Sequence, residues 1–209
     1  MTFDEIVNCL SLEDKKVIRE MMTLLDDISL QTKEFSAQTG LKCKQGCGAC
    51  CSTPNIETTV AEVMPLAVYL WSEDQAQRIF DSLRSNAQSR TCVFYEHDPR
   101  DTAKGRCSIY AYRPGLCRLF GFSAHLDKYG KLMLSTCKVI KEAQADTCSQ
   151  TQTKLQEGLK APLLKSHSFA VANIDPIRGN ALRPINEAVS QALEKIGYLI
   201  AQNADKLKQ

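Results

Sequence analysis

Apolar and polar residues follow one another with a helical period over most of this chain. Val17, Met21, Leu24, Leu25 and Ile28 fall on one face, with Ser11 as N-cap and Asp14 in the first turn. The spacing predicts a helix to about Gln38, stopped by Gly40, and its stripe reads as core rather than a partner-helix face. Thr59-Val-Ala-Glu62 has the form of a capping box and opens a second helix that buries Val60, Val63, Ala67 and Leu70. Pro65 lies inside that pattern and is expected to kink or loosen it. Ser72 with Gln75 starts a third helix, Ile79 and Leu83 inward, which dissolves over 85–89.

The period then breaks. Residues 92–95 read as a short extended piece and 97–105 as a loop. The run from Cys107 looks like a short helix interrupted by Pro114-Gly115. Residues 119–126 and 131–135 flank Asp127-Lys-Tyr-Gly130, a hairpin pattern. Helical spacing returns after Cys137, and Pro184 opens a long last helix with Ile185, Val189, Leu193, Ile196 and Ile200 on one face. The polar tail from Asn203 is expected to fray. The expected fold is mainly α with a small antiparallel hairpin, and a cysteine-rich metal-binding core packed between helices. Three stretches follow: an N-terminal helical segment (1–41), the cysteine core (42–149) and a C-terminal helical segment (150–209), forming one compact unit. The weakly patterned stretch 150–160 marks the last boundary.

Cys43-Lys-Gln-Gly-Cys47-Gly-Ala-Cys50-Cys51 fits neither a core helix nor a core strand. Its glycines let the backbone fold around a point, so that thiols can converge. Cys92, Cys107, Cys117 and Cys137 lie at the ends of short irregular pieces, where ligands are easily aimed, and bring the candidate set to eight. Cys9 and Cys148 are read as packing or surface thiols.

Composition narrows the choice between disulfides and metal. The N-terminus is acidic with no apolar signal region behind it, and the longest uncharged apolar run, 63–71, is too short to span a bilayer. A cytoplasmic location is expected, where ten cysteines favour metal ligation over disulfides. A net charge of +2 with interspersed signs argues against nucleic-acid or membrane partners. A protein or redox partner remains open.

Eight thiolates can close two zinc sites, or hold a four-iron cubane and leave four over. In an extended backbone Cys50 and Cys51 would point apart, serving two sites or two atoms of one cluster. Cys43-x3-Cys47-x2-Cys50 has the spacing of radical S-adenosylmethionine enzymes. Alternating βα units are absent, however, and Ala49 stands where that class carries an aromatic.

Two motifs carry a further resemblance: the cluster ending Cys47-Gly-Ala-Cys50-Cys51, and a C-x-x-Y-x-x-R-P-x-x-C-R-x-F string met by Cys107, Tyr110, Arg113, Pro114, Cys117, Arg118 and Phe120. The chain resembles the CxxCxxCC (YkgJ-like) family of zinc- or iron-chelating domains from about Cys43 to Cys137. Its first gap is three residues where the family has two. The resemblance implies a metal-chelating cysteine cluster. It extends to flagellin lysine methylases associated with an iron–sulfur cluster, so a cluster-dependent group-transfer enzyme is one alternative.

The favoured cofactor is an iron–sulfur cluster or iron, serving electron transfer, sensing or an accessory step. Zinc in a structural interaction module is the other alternative. Arg113 and Arg118 are candidates to donate to cluster sulfurs and offset their negative charge, and Tyr110 is read as a packed lid. His97 and His125 could replace a cysteine but are not needed, and His167 reads as structural or surface. No catalytic residue is assigned.

Overall fold

The computed structural model describes residues 1–53, 56–86 and 89–203, without the side chains of 102 and 103. Pro54, part of the 85–89 stretch and the tail beyond Asn203 lie outside these residues. The chain opens with α1 (Phe3–Cys9), closed by a Thr2–Glu5 capping box, and α2 (Leu12–Thr39). Ser11 caps α2 by accepting from the Asp14 N–H, and Gly40 ends it in the left-handed conformation at φ 80°. After a single helical turn, α3 (Ala49–Ser52), come β1 (Glu57–Thr58), α4 (Val60–Ser72) and α5 (Ala76–Ser85). The middle holds β2 (Tyr95–Asp98), β3 (Asp101–Cys107), a 3-10 turn at Tyr110–Tyr112, α6 (Gly115–Leu119), β4 (Ser123–Leu126) and β5 (Leu132–Ser135). The chain closes with α7 (Lys138–Ala143), α8 (Ala145–Gln156), α9 (Leu164–Ile174), β6 (Arg183–Pro184) and α10 (Ile185–Gln202).

The architecture is mainly α with small antiparallel pairs. Among the described residues three two-stranded sheets form, β1 with β6, β2 with β3 and β4 with β5, where the sequence pattern predicts one. The stretch 97–105, expected to be a loop, is most of the β2–β3 hairpin, with His97 opposite Gly105. α4 runs through Pro65 as one helix. Ser72 ends α4, donating to the Tyr69 carbonyl at 2.9 Å, so it does not start α5. Residues 150–156, read as linker, are the second half of α8.

Two of the three hydrophobic clusters among the described residues frame the cysteine-rich region. The larger packs Ile6, Val7 and Leu10 near α1, Val63, Met64, Leu66 and Leu70 of α4, and Val189, Leu193 and Ile196 of α10. The smaller gathers Phe35, Leu41, Ala124, Ile140 and Leu155. No helix among the described residues is long and apolar enough to cross a membrane.

A buried ion network ties the start of α2 to the end of α9. Arg178 pairs with Asp14 at 2.7 Å and also with Asp175. Burial alone would raise Asp14, but hydrogen bonds from Arg178 and Ser11 bring it below the ordinary carboxylate range. A lowered folded pKa means stability that is present above the unfolded value, about 3.9, and lost as pH falls through the folded one. Arg178→Met leaves two buried carboxylates unpaired and is expected to cost about 3 kcal/mol near neutral pH. The deficit should shrink below pH ~4 as Asp14 protonates. Urea melts of both proteins across that range check this, and a deficit independent of pH would contradict it.

Candidate metal centre

The cysteine loop is built on the β2–β3 hairpin. Gly105 N–H donates to the Gly46 carbonyl at 3.1 Å, and Cys92 N–H donates to the Cys51 carbonyl at 3.0 Å. The first bond sets the loop on β3, and the second brings Cys92 beside Cys51. Tyr95, paired with Cys107 across the hairpin, fills the space over two glycines. A Cβ at either Gly48 or Gly105 would overlap its ring, and Gly48 also sits at φ 54°. Gly48→Ala is therefore expected to cost about 3 kcal/mol, from overpacking and left-handed strain. Thermal melts should show Tm lower by roughly 10 °C. An unchanged Tm would show that the loop does not depend on this contact.

The helical turn α3 changes the geometry expected of the adjacent cysteines. Cys50 and Cys51 do not point to opposite sides; their Sγ atoms lie 4.0 Å apart. Cys51 and Cys92 are buried, and Cys50, Cys107 and Cys117 are half-buried against the same core. Five thiols from four chain segments thus share one region. Asn186 of α10 fixes the segment that brings in Cys92, accepting from Val93 N–H and donating to the Thr91 carbonyl, both at 2.9 Å.

Of the other three, Cys137 packs on the smaller core, and Cys43 lies within electrostatic reach of Cys47, Cys50 and Cys137. Cys137 caps α7, accepting from Ile140 N–H at 3.4 Å. Cys43 is exposed and Cys47 half-buried. The Gln144 side chain clamps the backbone of Lys42, next to Cys43, through bonds of 3.1 and 2.6 Å. Cys148 packs beside Cys137 on this smaller core. Cys9 is buried in the larger core, its thiol donating to the Ile6 carbonyl at 3.0 Å.

The thiols influence one another strongly. A hydrogen bond with Cys51 lowers Cys50 to about 6 against the opposing effect of burial, and Arg113 lowers it further. Cys107 is also lowered, first by its hydrogen bond with Cys51. Cys51 is raised, because its proton serves Cys107 and Cys50. Burial pushes Cys92 up to about 12 and raises Cys117 as well. Partial desolvation raises Cys43, with added repulsion from Cys47, Cys50 and Cys137. A cation bound here would replace shared protons and relieve repulsion among thiolates.

Arg113 is a positive charge at this site. It acts on Cys43, Cys50, Cys107 and Cys117, and its Nη1 donates to the Cys117 carbonyl at 3.3 Å. Tyr110 is exposed, and its ring stacks on the Arg113 guanidinium at 3.5 Å. Arg118 donates to the Arg113 carbonyl at 2.7 Å, the Ala111 carbonyl at 2.5 Å and the Ser29 hydroxyl, bracing the turn before α6 against α2. His97 packs edge-on to Tyr95, and His125 bonds Ser135 at 2.8 Å.

Among the described residues no group of three or more His, Cys, Asp or Glu side chains is arranged to hold a single metal ion. A model of the CxxCxxCC family, described as "Putative zinc- or iron-chelating domain", matches residues 42–157, more than half of the chain. The chain belongs to the CxxCxxCC family. Searches of curated proteins and of solved structures returned no significant match. The CxxCxxCC region takes in all eight candidate ligands and Cys148 and leaves out Cys9. It is a zinc- or iron-chelating domain by family, and its donors are thiols suited to either metal.

Sequence reasoning missed a buried pair at the back of this region. Glu62 accepts at Oε1 from the Gly115 N–H at 2.9 Å and from His167 Nε2 at 2.8 Å, and at Oε2 from Thr58 and Thr59. Gly115 opens the short helix that carries Cys117, and a Cβ there would overlap the His167 ring. The capping box announces Glu62, but partners 53 and 105 residues away leave no local signal.

Proposed function

We propose that the clustered thiols hold an iron–sulfur cluster or iron, in a protein that carries single electrons, senses their supply or assists a partner that uses them. One observation carries this reading. Five thiols from four segments gather around Cys50 with Arg113 beside them. Sulfurs around a single zinc lie about 3.8 Å apart, whereas a cubane spreads them to roughly 6 Å or more. When bound, such a cluster supplies one-electron chemistry. The buried Cys51 and Cys92 keep water from the inner side, and Arg113 offsets negative charge on the thiolates.

The Cys50–Cys51 separation of 4.0 Å favours a second reading, a structural zinc module that presents a surface to a protein partner. A group-transfer enzyme has less behind it. The cleft of about 990 Å³ between α5 and α10 has none of the eight cysteines in its wall. Anaerobic purification followed by metal and acid-labile sulfide analysis tests the proposal. A brown protein with iron and sulfide is expected. A colourless protein with stoichiometric zinc would replace it with the second reading.

A further inference from the structure

The cleft between α5 and α10 has an apolar base and charged ends. α5 buries Ala76 and Ile79, but Phe80 and Leu83 of the same helix line the cleft and stay half-buried. Ile56 and Ile185, 6% and 5% exposed, close it from below. Its volume of about 990 Å³ lies at the top of the range of sites that enclose a ligand.

The two ends carry opposite charge. At the start of α10, Asn186 donates to the Ser89 carbonyl at 3.5 Å and the Thr91 carbonyl at 2.9 Å, which fixes Arg90 at that end. Arg84, in the last turn of α5, lines the same cleft. Glu194 stands eight residues after Asn186, about 12 Å further along the α10 axis. Among the described residues Arg84 and Arg90 pair with no carboxylate, and Glu194 pairs with no cation. Glu194 accepts from the Ser190 hydroxyl at 3.5 Å, and Glu187, the other acid in the wall, is already paired with Arg183 at 2.7 Å.

We propose that this cleft docks an extended peptide segment of a partner protein, with an acidic and a basic residue three or four positions apart and apolar residues between them. An extended chain covers about 10–14 Å over that spacing, which matches the distance from Asn186 to Glu194. The acid meets Arg84 and Arg90, the apolar side chains lie on Phe80 and Leu83, and the base meets Glu194. A nucleotide would answer the arginines but brings no cation for Glu194. None of the eight cysteines lines the cleft, so the docking site is the same whichever metal the thiols take. The backbone that presents Cys92 forms one end of it, where Val93 N–H donates to Asn186 at 2.9 Å.

The test is a 15N NMR titration of the full chain, purified anaerobically with its metal, against three end-blocked peptides: Asp-Leu-Leu-Lys, Asp-Leu-Leu-Asp and Lys-Leu-Leu-Lys. Asp-Leu-Leu-Lys should move the amides of 80–86 and 185–194 and that of Val93. It should bind about fivefold more tightly than the other two, the most that one exposed ion pair supplies. Arg84, Arg90 and Glu194 are exposed, so reversing their charge removes no packing. Glu194→Lys should prefer Asp-Leu-Leu-Asp, and the double variant Arg84→Glu, Arg90→Glu should prefer Lys-Leu-Leu-Lys. No shift in either segment at millimolar peptide, equal affinity for the three peptides, or an unchanged order in the variants overturns the proposal. Shifts of the same amides by ATP and by none of the peptides would make the cleft a nucleotide site and overturn it too.

Discussion

Removing the metal is expected to unfold the middle of the chain while leaving its helical frame. From β2 to α6 the chain consists of one hairpin, a 3-10 turn of three residues and a helix of five. An isolated two-stranded hairpin is marginal in water, and a five-residue helix is far below the length that persists alone. From Cys92 to Leu119 the buried apolar side chains include Cys92, Phe94, Ile109 and Leu119. Ligation contributes on the order of 10 kcal/mol to a structural metal site, because the ligands are assembled only in the folded state. α4 and α10, by contrast, contain no cysteine and pack on each other through Val63, Leu66, Leu193 and Ile196. Hydrogen exchange before and after chelation under reducing conditions should show amides from 95 to 119 losing protection, while α2, α4 and α10 keep theirs. Unchanged protection at 107–117 would show that the metal rides on a preformed fold.

Glu62→Ala should be the most damaging single substitution at this region. It strips the acceptor from Thr58, Thr59, Gly115 and His167 together, all in a place that is 5% exposed at Glu62 itself. Each buried donor left unmade costs about 1–3 kcal/mol, so a total loss of about 4 kcal/mol or more is expected. Glu62→Gln, which keeps the shape and one acceptor, should lose less. Because the folded pKa of Glu62 is lowered, its contribution is present above the unfolded value and fades as pH falls through the folded one. Denaturant melts of wild type and both variants at neutral and acid pH read this directly. A loss under 1 kcal/mol for the alanine variant would mean that water replaces the carboxylate freely.

What could be read without the structure was local. Ser11 and Gly40 bound α2, the Thr59–Glu62 box starts α4, Gly130 turns β4 into β5, and Pro114 separates the 3-10 turn from α6. Each of these signals lies within four residues of what it controls. α1 escaped notice despite its own capping box, because seven residues are too few to establish a period. The β2–β3 hairpin has a polar, irregular sequence. It forms because Tyr95 and the Gly46 carbonyl hold it to the cysteine loop, which no pattern within 95–107 reveals. α9 buries only His167 and Val171, too thin a stripe to read. The thiol-rich character of the site was plain from spacing. Its division between two cores, and the single turn that sets Cys50 and Cys51 side by side, depend on long-range packing.

The central claim is that the gathered thiols surround more than one metal atom. X-ray absorption at the metal edge of the anaerobically purified protein tests it most directly. The expected spectrum has an iron edge, a shell of sulfur neighbours and a second shell from metal–metal scattering. A zinc edge with a single four-sulfur shell, or iron with sulfur neighbours and no metal–metal shell, would contradict it.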